Sequence, residues 1–166
     1  MSVVYSHFVR SHEVDDLGLL PSCRFLELAE TGFIEFFGSL GYGREVMAST
    51  GLCPSVIEHQ MDFRVPTSVG NRLDMEMFVA EVDMTSFRLP SRLSCGSKLV
   101  ATVESKYINL GCESGGPQPL PKEIIRVLVG ALHERSVAIE SMSHLASFLK
   151  QVSAAASWRK EAKFSP

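Results

Sequence analysis

The chain has 166 residues, a net charge of −3, 45% hydrophobic residues and 21% charged residues. This length is enough for one domain with a sizeable core, and the composition is that of a soluble globular protein. The sequence has no excess of basic residues, which argues against a nucleic-acid partner. It also has no run of about 18 apolar residues and no basic segment followed by an apolar run at its start, so we expect neither a membrane span nor a signal peptide.

The cysteines show no spacing that is typical of a metal site or of a redox pair. There are four, and they form no C-x-x-C pair: Cys23, Cys53, Cys95 and Cys112. We therefore predict reduced thiols in a cytoplasmic protein and no bound metal. No histidine lies close to Cys23 in the sequence, which argues against a nucleophilic thiol there.

The first third of the chain predicts a strand, a turn and a long buried helix. Apolar residues alternate over 3–11, which predicts a strand that continues toward Glu13 and Asp15 on one face. Gly18 then allows a turn, and Ser22 is a candidate N-cap residue. The helix predicted over 23–40 is apolar around most of its circumference, which is typical of a helix that is buried on several sides.

The middle of the chain predicts four further strands after a short helix or loop over 44–55. They are expected over residues 56–65, 73–79, 87–93 and 100–110, because apolar and polar residues alternate there. Pro90 lies in the third of these, which predicts an edge or a bulged strand. Cys95, Gly96 and Ser97 predict the hairpin turn that follows it.

The C-terminal part predicts a Gly/Pro/Ser-rich loop over 111–121, a helix that begins at Pro121, and a second apolar periodicity over 139–152. The element order, with one buried helix after the first strand, four further strands and helices at the C-terminus, predicts an α+β fold. We expect a main domain over 1–129 and a helical extension over 130–166.

The most informative segment is the entrance to the long helix. Asp15 and Asp16 lie just before Gly18 and the helix start. The free N–H groups at the N-terminus of a helix favour negative charge. Acyl transfer needs a carboxylate that attacks or activates, together with N–H groups that hold an oxyanion, and this segment offers both.

This segment resembles the active-site entrance of hotdog-fold acyl-CoA thioesterases of the 4-hydroxybenzoyl-CoA thioesterase-like family. These proteins carry an Asp three residues before a turn glycine, and here Asp15 precedes Gly18 in that way. The passages 62–66 and 70–73 and the last strand, 100–110, also resemble the family. The resemblance covers about residues 3–128.

The resemblance implies the hotdog fold, in which a curved antiparallel sheet wraps around one long central helix, and the hydrolysis of an acyl thioester of coenzyme A or of an acyl carrier protein. The apolar face of the extension over 130–166 is then expected to pack on a neighbouring subunit or to cover the acyl tunnel. It assigns Asp15 as nucleophile or general base, and the backbone N–H of Ser22 as the group that polarises the thioester carbonyl. Glu30 is a further candidate, because some of these enzymes place a catalytic Glu on this helix. Alternatively, Asp15 only caps the turn at Gly18, and Glu30 is only part of the polar face of the helix.

The resemblance also implies how the rest of the substrate binds. Gly18 and Arg24 would lie near the thioester, although Arg24 can instead pair with Glu27 or with Asp15. Coenzyme A carries phosphates, for which we single out a basic cluster on the sheet: Arg88, Arg92 and Lys98. Ordinary surface charge is the alternative for this cluster.

The resemblance implies no cofactor, since coenzyme A or phosphopantetheine is part of the substrate. It also implies a homodimer, with a homotetramer as the alternative, because a sheet wrapped on one helix leaves an exposed edge. Two other functions stay open. One is a non-catalytic acyl-thioester binding protein, since Pro21 and Arg24 depart from the family pattern. The other is a hotdog dehydratase or hydratase, which normally needs a catalytic His that is missing from 13–30.

Overall fold

A computed structural model describes residues 3–111 and 115–141 of the chain. The described part holds three helices: α1, Ser22–Ser39; α2, Arg44–Thr50; and α3, Lys122–Ser141. It holds six strands: β1, Tyr5–Phe8; β2, Pro54–Phe63; β3, Arg72–Met77; β4, Glu81–Val82; β5, Ser86–Cys95; and β6, Lys98–Asn109. None of the described helices is long and apolar enough to cross a membrane.

The described strands form one antiparallel sheet in the order β1-β3-β5-β6-β2, and β4 also pairs with β5. The predicted hairpin turn joins β5 to β6 through Gly96, whose φ is +58°. Among the described strands, β2 pairs only with β6 and therefore forms one edge of the sheet. This edge is long, because β2 has 10 residues whereas β1 at the other edge has only 4.

The long helix α1 lies against the sheet and contacts β1, β3 and β6. Its buried residues are spaced by three and four positions, which is why one broad face enters the core: Phe25, Leu28, Ala29, Gly32, Phe33, Phe36 and Phe37. Aromatic rings join this face to the sheet, with ring centroids 4.5 Å apart for Phe33 and Tyr107 and 5.6 Å apart for Phe37 and Phe87. The predicted α+β arrangement around a central helix is confirmed.

One prediction about a strand is wrong, and another holds in only one of its two alternatives. The strand β1 ends at Phe8 rather than continuing toward Asp15, because a turn follows in which the Glu13 amide donates to the Arg10 carbonyl at 3.1 Å. The strand β5 is internal, so the edge alternative is wrong, whereas the bulge alternative holds, because its register against β6 shifts between Leu93 and Ser94. The Pro90 carbonyl accepts from the Phe78 amide at 3.1 Å, just after the end of β3, so the missing N–H of Pro90 lies where the regular pairing with β3 has ended.

The cysteine prediction is wrong for one residue. Cys53 is disulfide-bonded, whereas Cys23 and Cys95 are free thiols. Cys53 follows α2 and directly precedes β2, where its amide donates to the Asn109 side chain at 2.8 Å. A disulfide at this point restrains the chain at the start of the edge strand.

The C-terminal part can be compared with the prediction only up to residue 141. The chain divides into two compact units, 1–132 and 133–166. The helix α3 runs through residue 129, the expected domain boundary, and buries Ile124 and Leu128 in the core of the first unit, to which Leu120 just before the helix also belongs. The second apolar periodicity and the proposed role of the extension lie largely outside the described residues, so the domain boundary stays a prediction.

Candidate active site

The Asp15 carboxylate organises the turn that leads to α1. Its Oδ1 accepts hydrogen bonds from the amides of Leu17 at 2.9 Å and Leu19 at 3.0 Å. The Gly18 amide donates to the Asp15 carbonyl at 2.9 Å, and Gly18 has a φ of +73°, which explains the glycine there. Asp15 is exposed, and its Oδ2 has no hydrogen bond to the described residues. One carboxylate oxygen therefore holds the turn while the other is open to a substrate or water.

The first turn of α1 has no side-chain cap among the described residues. Pro21 occupies the N-cap position with extended backbone angles, and Ser22 is the first helical residue. The prediction that Ser22 caps the helix is therefore wrong. The reason is that Pro21, which has the extended conformation that an N-cap needs, takes that place one residue earlier. Because no side chain caps this turn, the amides of Ser22 and Cys23 are available to an external acceptor, whereas the Arg24 amide donates to the Pro21 carbonyl at 3.0 Å.

A cavity of about 330 Å³ opens beside this helix start. Its lining comes from the end of the turn, the first residues of α1 and the segment after β2: Leu19, Leu20, Ser22, Phe25, Phe63, Arg64, Val65, Pro66 and Thr67. Phe25 and Phe63 meet edge to face there, with ring centroids 5.1 Å apart. Apolar walls with a few polar groups are typical of a small-molecule site.

Thr67 is the most buried polar residue of this lining. It is 2% exposed, and its hydroxyl has no hydrogen-bond partner among the described residues. Its carbonyl accepts a hydrogen bond from the Leu20 amide at 2.8 Å, and the neighbouring residues Leu19 and Ser68 form a β-bridge. These contacts fix the segment after β2 against the end of the Asp15 turn.

A second cavity, of about 140 Å³, lies on the other flank of α1, toward β1. Arg24 lines it and forms an ion pair with Glu27, which raises the pKa of Arg24. Opposite them His7 Nε2 lies 3.0 Å from Glu13 Oε2, which also accepts from the Arg10 amide at 2.7 Å. The structure therefore pairs Arg24 with Glu27, one of the predicted alternatives, and orients it to the flank opposite the larger cavity.

Burial raises the pKa of Glu13, but the other influences outweigh this effect. The hydrogen bond from the Arg10 amide, the bond to His7 and the charges of His7 and His12 together hold the Glu13 pKa below its ordinary value. Glu13 thus stays ionised and anchors the chain between β1 and the Asp15 turn. The sequence predicted that Glu13 continues the first strand beside Asp15, whereas the structure gives it this anchoring contact.

Glu30 faces the β2 edge and lies in a polar cluster that the sequence did not reveal. Its Oε1 lies 3.7 Å from His59 Nε2, and His59 Nδ1 lies 2.9 Å from the Ser105 hydroxyl. Beneath them is the Tyr107 hydroxyl, which is buried without a hydrogen-bond partner among the described residues. Burial raises the pKa of Tyr107, and the charge of Glu30 raises it further. Glu30 is eight residues beyond Ser22, which is about 12 Å along the helix axis.

The predicted phosphate-binding residues lie away from these groups. Arg88 and Arg92 alternate with buried residues along β5 and so face away from α1, and Lys98 begins β6. Arg88 is held by three carboxylates, at 3.0 Å from Glu81, 3.0 Å from Glu104 and 3.4 Å from Glu58. Burial alone lowers the pKa of Arg88, but these carboxylates raise it above its ordinary value.

The structure brings the Asp15 turn, the Ser22 amide and a cavity together, and it separates Arg24 and the β5 arginines from them. Within the described residues no group of three or more His, Cys, Asp or Glu side chains could hold a metal ion. Thr67 and the pairing of His59 with Glu30 escaped the sequence reasoning. Both depend on contacts between distant segments, which no local pattern signals.

Comparison with known proteins finds similarity to thioesterases by family profile, by sequence and by structure. The profile described as "Thioesterase-like superfamily" matches residues 9–128. A 1,4-dihydroxy-2-naphthoyl-CoA hydrolase from Synechococcus elongatus is 24% identical over 122 residues, which cover 72% of this chain and 90% of that protein.

Two solved structures illustrate the likeness in fold. One is a 1,4-dihydroxy-2-naphthoyl-CoA thioesterase from Synechocystis, with a TM-score of 0.68, 17% identity and coverage of 75% of this chain and 93% of that one. The other is a hypothetical protein from Staphylococcus aureus in complex with CoA, with a TM-score of 0.71, 12% identity and coverage of 76% and 81%. The predicted hotdog fold is thereby confirmed.

Proposed function

Because the chain belongs to the thioesterase-like superfamily, we propose that it hydrolyses an acyl thioester of coenzyme A or of an acyl carrier protein. The observation that carries this proposal is the cavity of about 330 Å³ beside the uncapped first turn of α1. The Asp15 turn leads directly into this helix start. A carbonyl in the cavity would meet the Ser22 amide, and the helix dipole would stabilise negative charge on its oxygen.

Asp15 supplies the reactive carboxylate in one of two ways. As a general base it takes a proton from water while the water oxygen bonds to the carbonyl carbon, and the C–S bond then breaks to release the thiol and the free acid. As a nucleophile its own oxygen bonds to that carbon and expels the thiolate, and water then cleaves the resulting anhydride. The open Oδ2 of Asp15 suits either route.

Glu30 is the second carboxylate of the proposed site. With His59 beside it, it forms an acid–base pair at the open edge between α1 and β2. This pair is also the one observation that favours the second candidate function, a hydratase or dehydratase, because that chemistry needs a histidine with a carboxylate. Hydration of a 2-enoyl-CoA removes its conjugated double bond, and measuring that loss distinguishes the two activities.

The acyl group is proposed to be aromatic. Phe25 and Phe63 line the cavity with their rings edge to face, an arrangement that suits a flat ring. The relative from Synechococcus elongatus, described as a hydrolase of a naphthoyl-CoA, supports the same class. Aliphatic acyl-CoAs of matched size are the comparison that tests it.

The phosphates of coenzyme A are proposed to bind along β5 and β6. Arg92 and Lys98 have no ion pair to the described residues, whereas Arg88 would have to share its charge with Glu58, Glu81 and Glu104. We expect R92Q combined with K98Q to weaken the binding of coenzyme A by roughly tenfold in calorimetry, as two charge-assisted contacts are lost. An unchanged Kd would remove this strip from the proposed site.

A homodimer is proposed to form through the β2 edge. This strand has an unpaired edge, and its surroundings expose large apolar side chains: Val56, Ile57, Phe63 and Val65. Pairing with a second copy would cover them and would place Glu30 and His59 at the interface. A cytoplasmic location stays a prediction.

The direct test is thiol release from a panel of acyl-CoAs with the wild-type protein. The panel contains benzoyl-, hydroxybenzoyl-, hexanoyl- and palmitoyl-CoA, with crotonyl-CoA added for hydration. Release of thiol that is fastest with the aromatic esters supports the proposal. Binding without turnover of any ester would support the non-catalytic binder instead, and hydration of crotonyl-CoA alone would support the hydratase.

A further inference from the structure

We infer that the Thr67 hydroxyl donates a hydrogen bond to the thioester carbonyl of the bound substrate, as a third donor beside the first-turn amides of α1. This inference rests on the proposed function. It adds to the site a hydrogen-bond donor that neither the sequence pattern nor the Asp15 turn indicates.

The first support is the state of the hydroxyl in the free protein. Thr67 is 2% exposed, and its Oγ1 is buried without a hydrogen-bond partner among the described residues. A buried hydroxyl without a partner destabilises the folded protein, so most such groups in proteins are paired. A hydroxyl retained at this cost is explained if its partner arrives with the substrate.

The second support is its position. Thr67 lines the cavity of about 330 Å³ together with Ser22. Its carbonyl accepts from the Leu20 amide at 2.8 Å, only two residues before Ser22, so the backbone of Thr67 is fixed against the helix start. Because the backbone of Thr67 is fixed, only its side chain has to rotate for the hydroxyl to meet an entering substrate.

The third support is the chemistry of the site. In the first turn of α1 the amides of Ser22 and Cys23 have no side-chain cap and point outward along the helix axis, whereas the Arg24 amide donates to the Pro21 carbonyl. A threonine hydroxyl is both donor and acceptor, so it can donate to a carbonyl oxygen as negative charge develops there. Two kinds of donor, amide and hydroxyl, would then converge on one oxygen in a cavity with largely apolar walls, where such bonds are strongest.

Removal of the Thr67 hydroxyl should lower activity without lowering the stability of the fold. T67V has nearly the same shape but removes the hydroxyl. We expect the urea midpoint of T67V to be equal to or higher than that of the wild type, because an unpaired buried hydroxyl is lost. We expect kcat/KM to fall by about 10- to 100-fold, which is at or slightly below the fall that follows the loss of one oxyanion donor. T67S keeps the hydroxyl and should stay within about threefold of wild-type activity.

The experiment compares wild type, T67V and T67S in benzoyl-CoA hydrolysis and in urea unfolding. T50V, at an exposed position of α2 that lines neither cavity, is the control. A second readout is calorimetric binding of a ketone analogue of benzoyl-CoA, in which a methylene replaces the thioester sulfur. It keeps the carbonyl but cannot be hydrolysed. T67V should bind it about tenfold more weakly, and T50V should bind it as the wild type does.

The outcomes separate this inference from the proposed function. Lower activity and weaker analogue binding in T67V, at unchanged or higher stability and with recovery in T67S, support it. If T67V hydrolyses the ester as fast as the wild type, the inference is overturned and the proposed function stands. A fall in stability that accompanies the fall in activity assigns Thr67 a purely structural role and also overturns it. If the wild type neither hydrolyses the ester nor binds the analogue, the proposed function and the inference both fail.

Discussion

The Leu20 amide donates to the Thr67 carbonyl at 2.8 Å, and this bond ties the end of the Asp15 turn to the segment after β2. Leu20 itself is 7% exposed, so the link lies at the edge of the core rather than in solvent. One side of the candidate site is thus formed by residues close to the helix start in sequence, and the other by residues more than 40 positions later. The site exists only when the sheet has formed.

Replacement of Gly32 should destabilise the protein through overpacking. A Cβ at this position would collide with the Sδ atom of Met75, which is buried in the core between α1 and β3. We expect G32A to lower the free energy of unfolding by about 1–3 kcal/mol in urea titrations. G38A is the matched control in the same helix, where a Cβ meets nothing within 4 Å, and it should stabilise the protein by up to about 1 kcal/mol. Equal effects of the two substitutions would show that the contact with Met75 is not tight.

The pH dependence of stability should reveal the Glu13 anchor. The pKa of Glu13 is lower in the folded protein than its ordinary value of 4.5, so the folded state favours the ionised form. The resulting stabilisation is fully present above about pH 4.5 and is lost as the pH falls through the lower folded-state value. E13Q should therefore be less stable than the wild type at pH 7, and this difference should shrink below pH 4.5.

Urea unfolding at a series of pH values measures this difference. E35Q, on an exposed position of α1, serves as the control and should show no such pH-dependent difference. A gap between wild type and E13Q that stays constant from pH 7 to pH 3 would contradict the role given to Glu13.

The proposed dimer makes a prediction about single apolar residues. Ile57 on β2 is 56% exposed, and a lysine there would place a charge in the proposed interface. We expect I57K to be monomeric at micromolar concentrations in sedimentation velocity, where the wild type is a dimer. Met84, which is 73% exposed but lies outside β2, provides the control, since M84K should remain dimeric. A monomeric wild type, or a dimeric I57K, would argue against the β2 interface.

The sequence was sufficient to predict most of the elements, because their periodicities are strong. The alternation around His59 and the apolar circumference of α1 specify a strand and a buried helix without any tertiary information. The start of α1 was displaced by one residue, since Ser22 and Pro21 are both acceptable at a helix start and only the backbone angles decide between them. Pro90 predicted an edge or a bulged strand, and the sequence could not decide between them, because the gap between β3 and β4 is not visible in it.

The candidate site was predictable only where it is local. Asp15, Gly18 and Ser22 lie within eight consecutive residues, so a short motif carries them. Thr67, and the pairing of Glu30 with His59, arise from the way that β2 and its following segment pack against α1. Such contacts depend on tertiary packing, which a single sequence does not encode in any short pattern.

The measurement that tests the central claim most directly is benzoyl-CoA hydrolysis by D15N beside D16N. An asparagine at position 15 can still accept from the amides of Leu17 and Leu19 through its Oδ1, so the turn should persist while the reactive carboxylate is lost. Asp16 is an exposed neighbour and controls for the loss of one charge. We predict that kcat falls by roughly a hundredfold or more in D15N and stays within about twofold in D16N. Equal activity of D15N and the wild type would contradict the assignment of Asp15 as the reactive carboxylate.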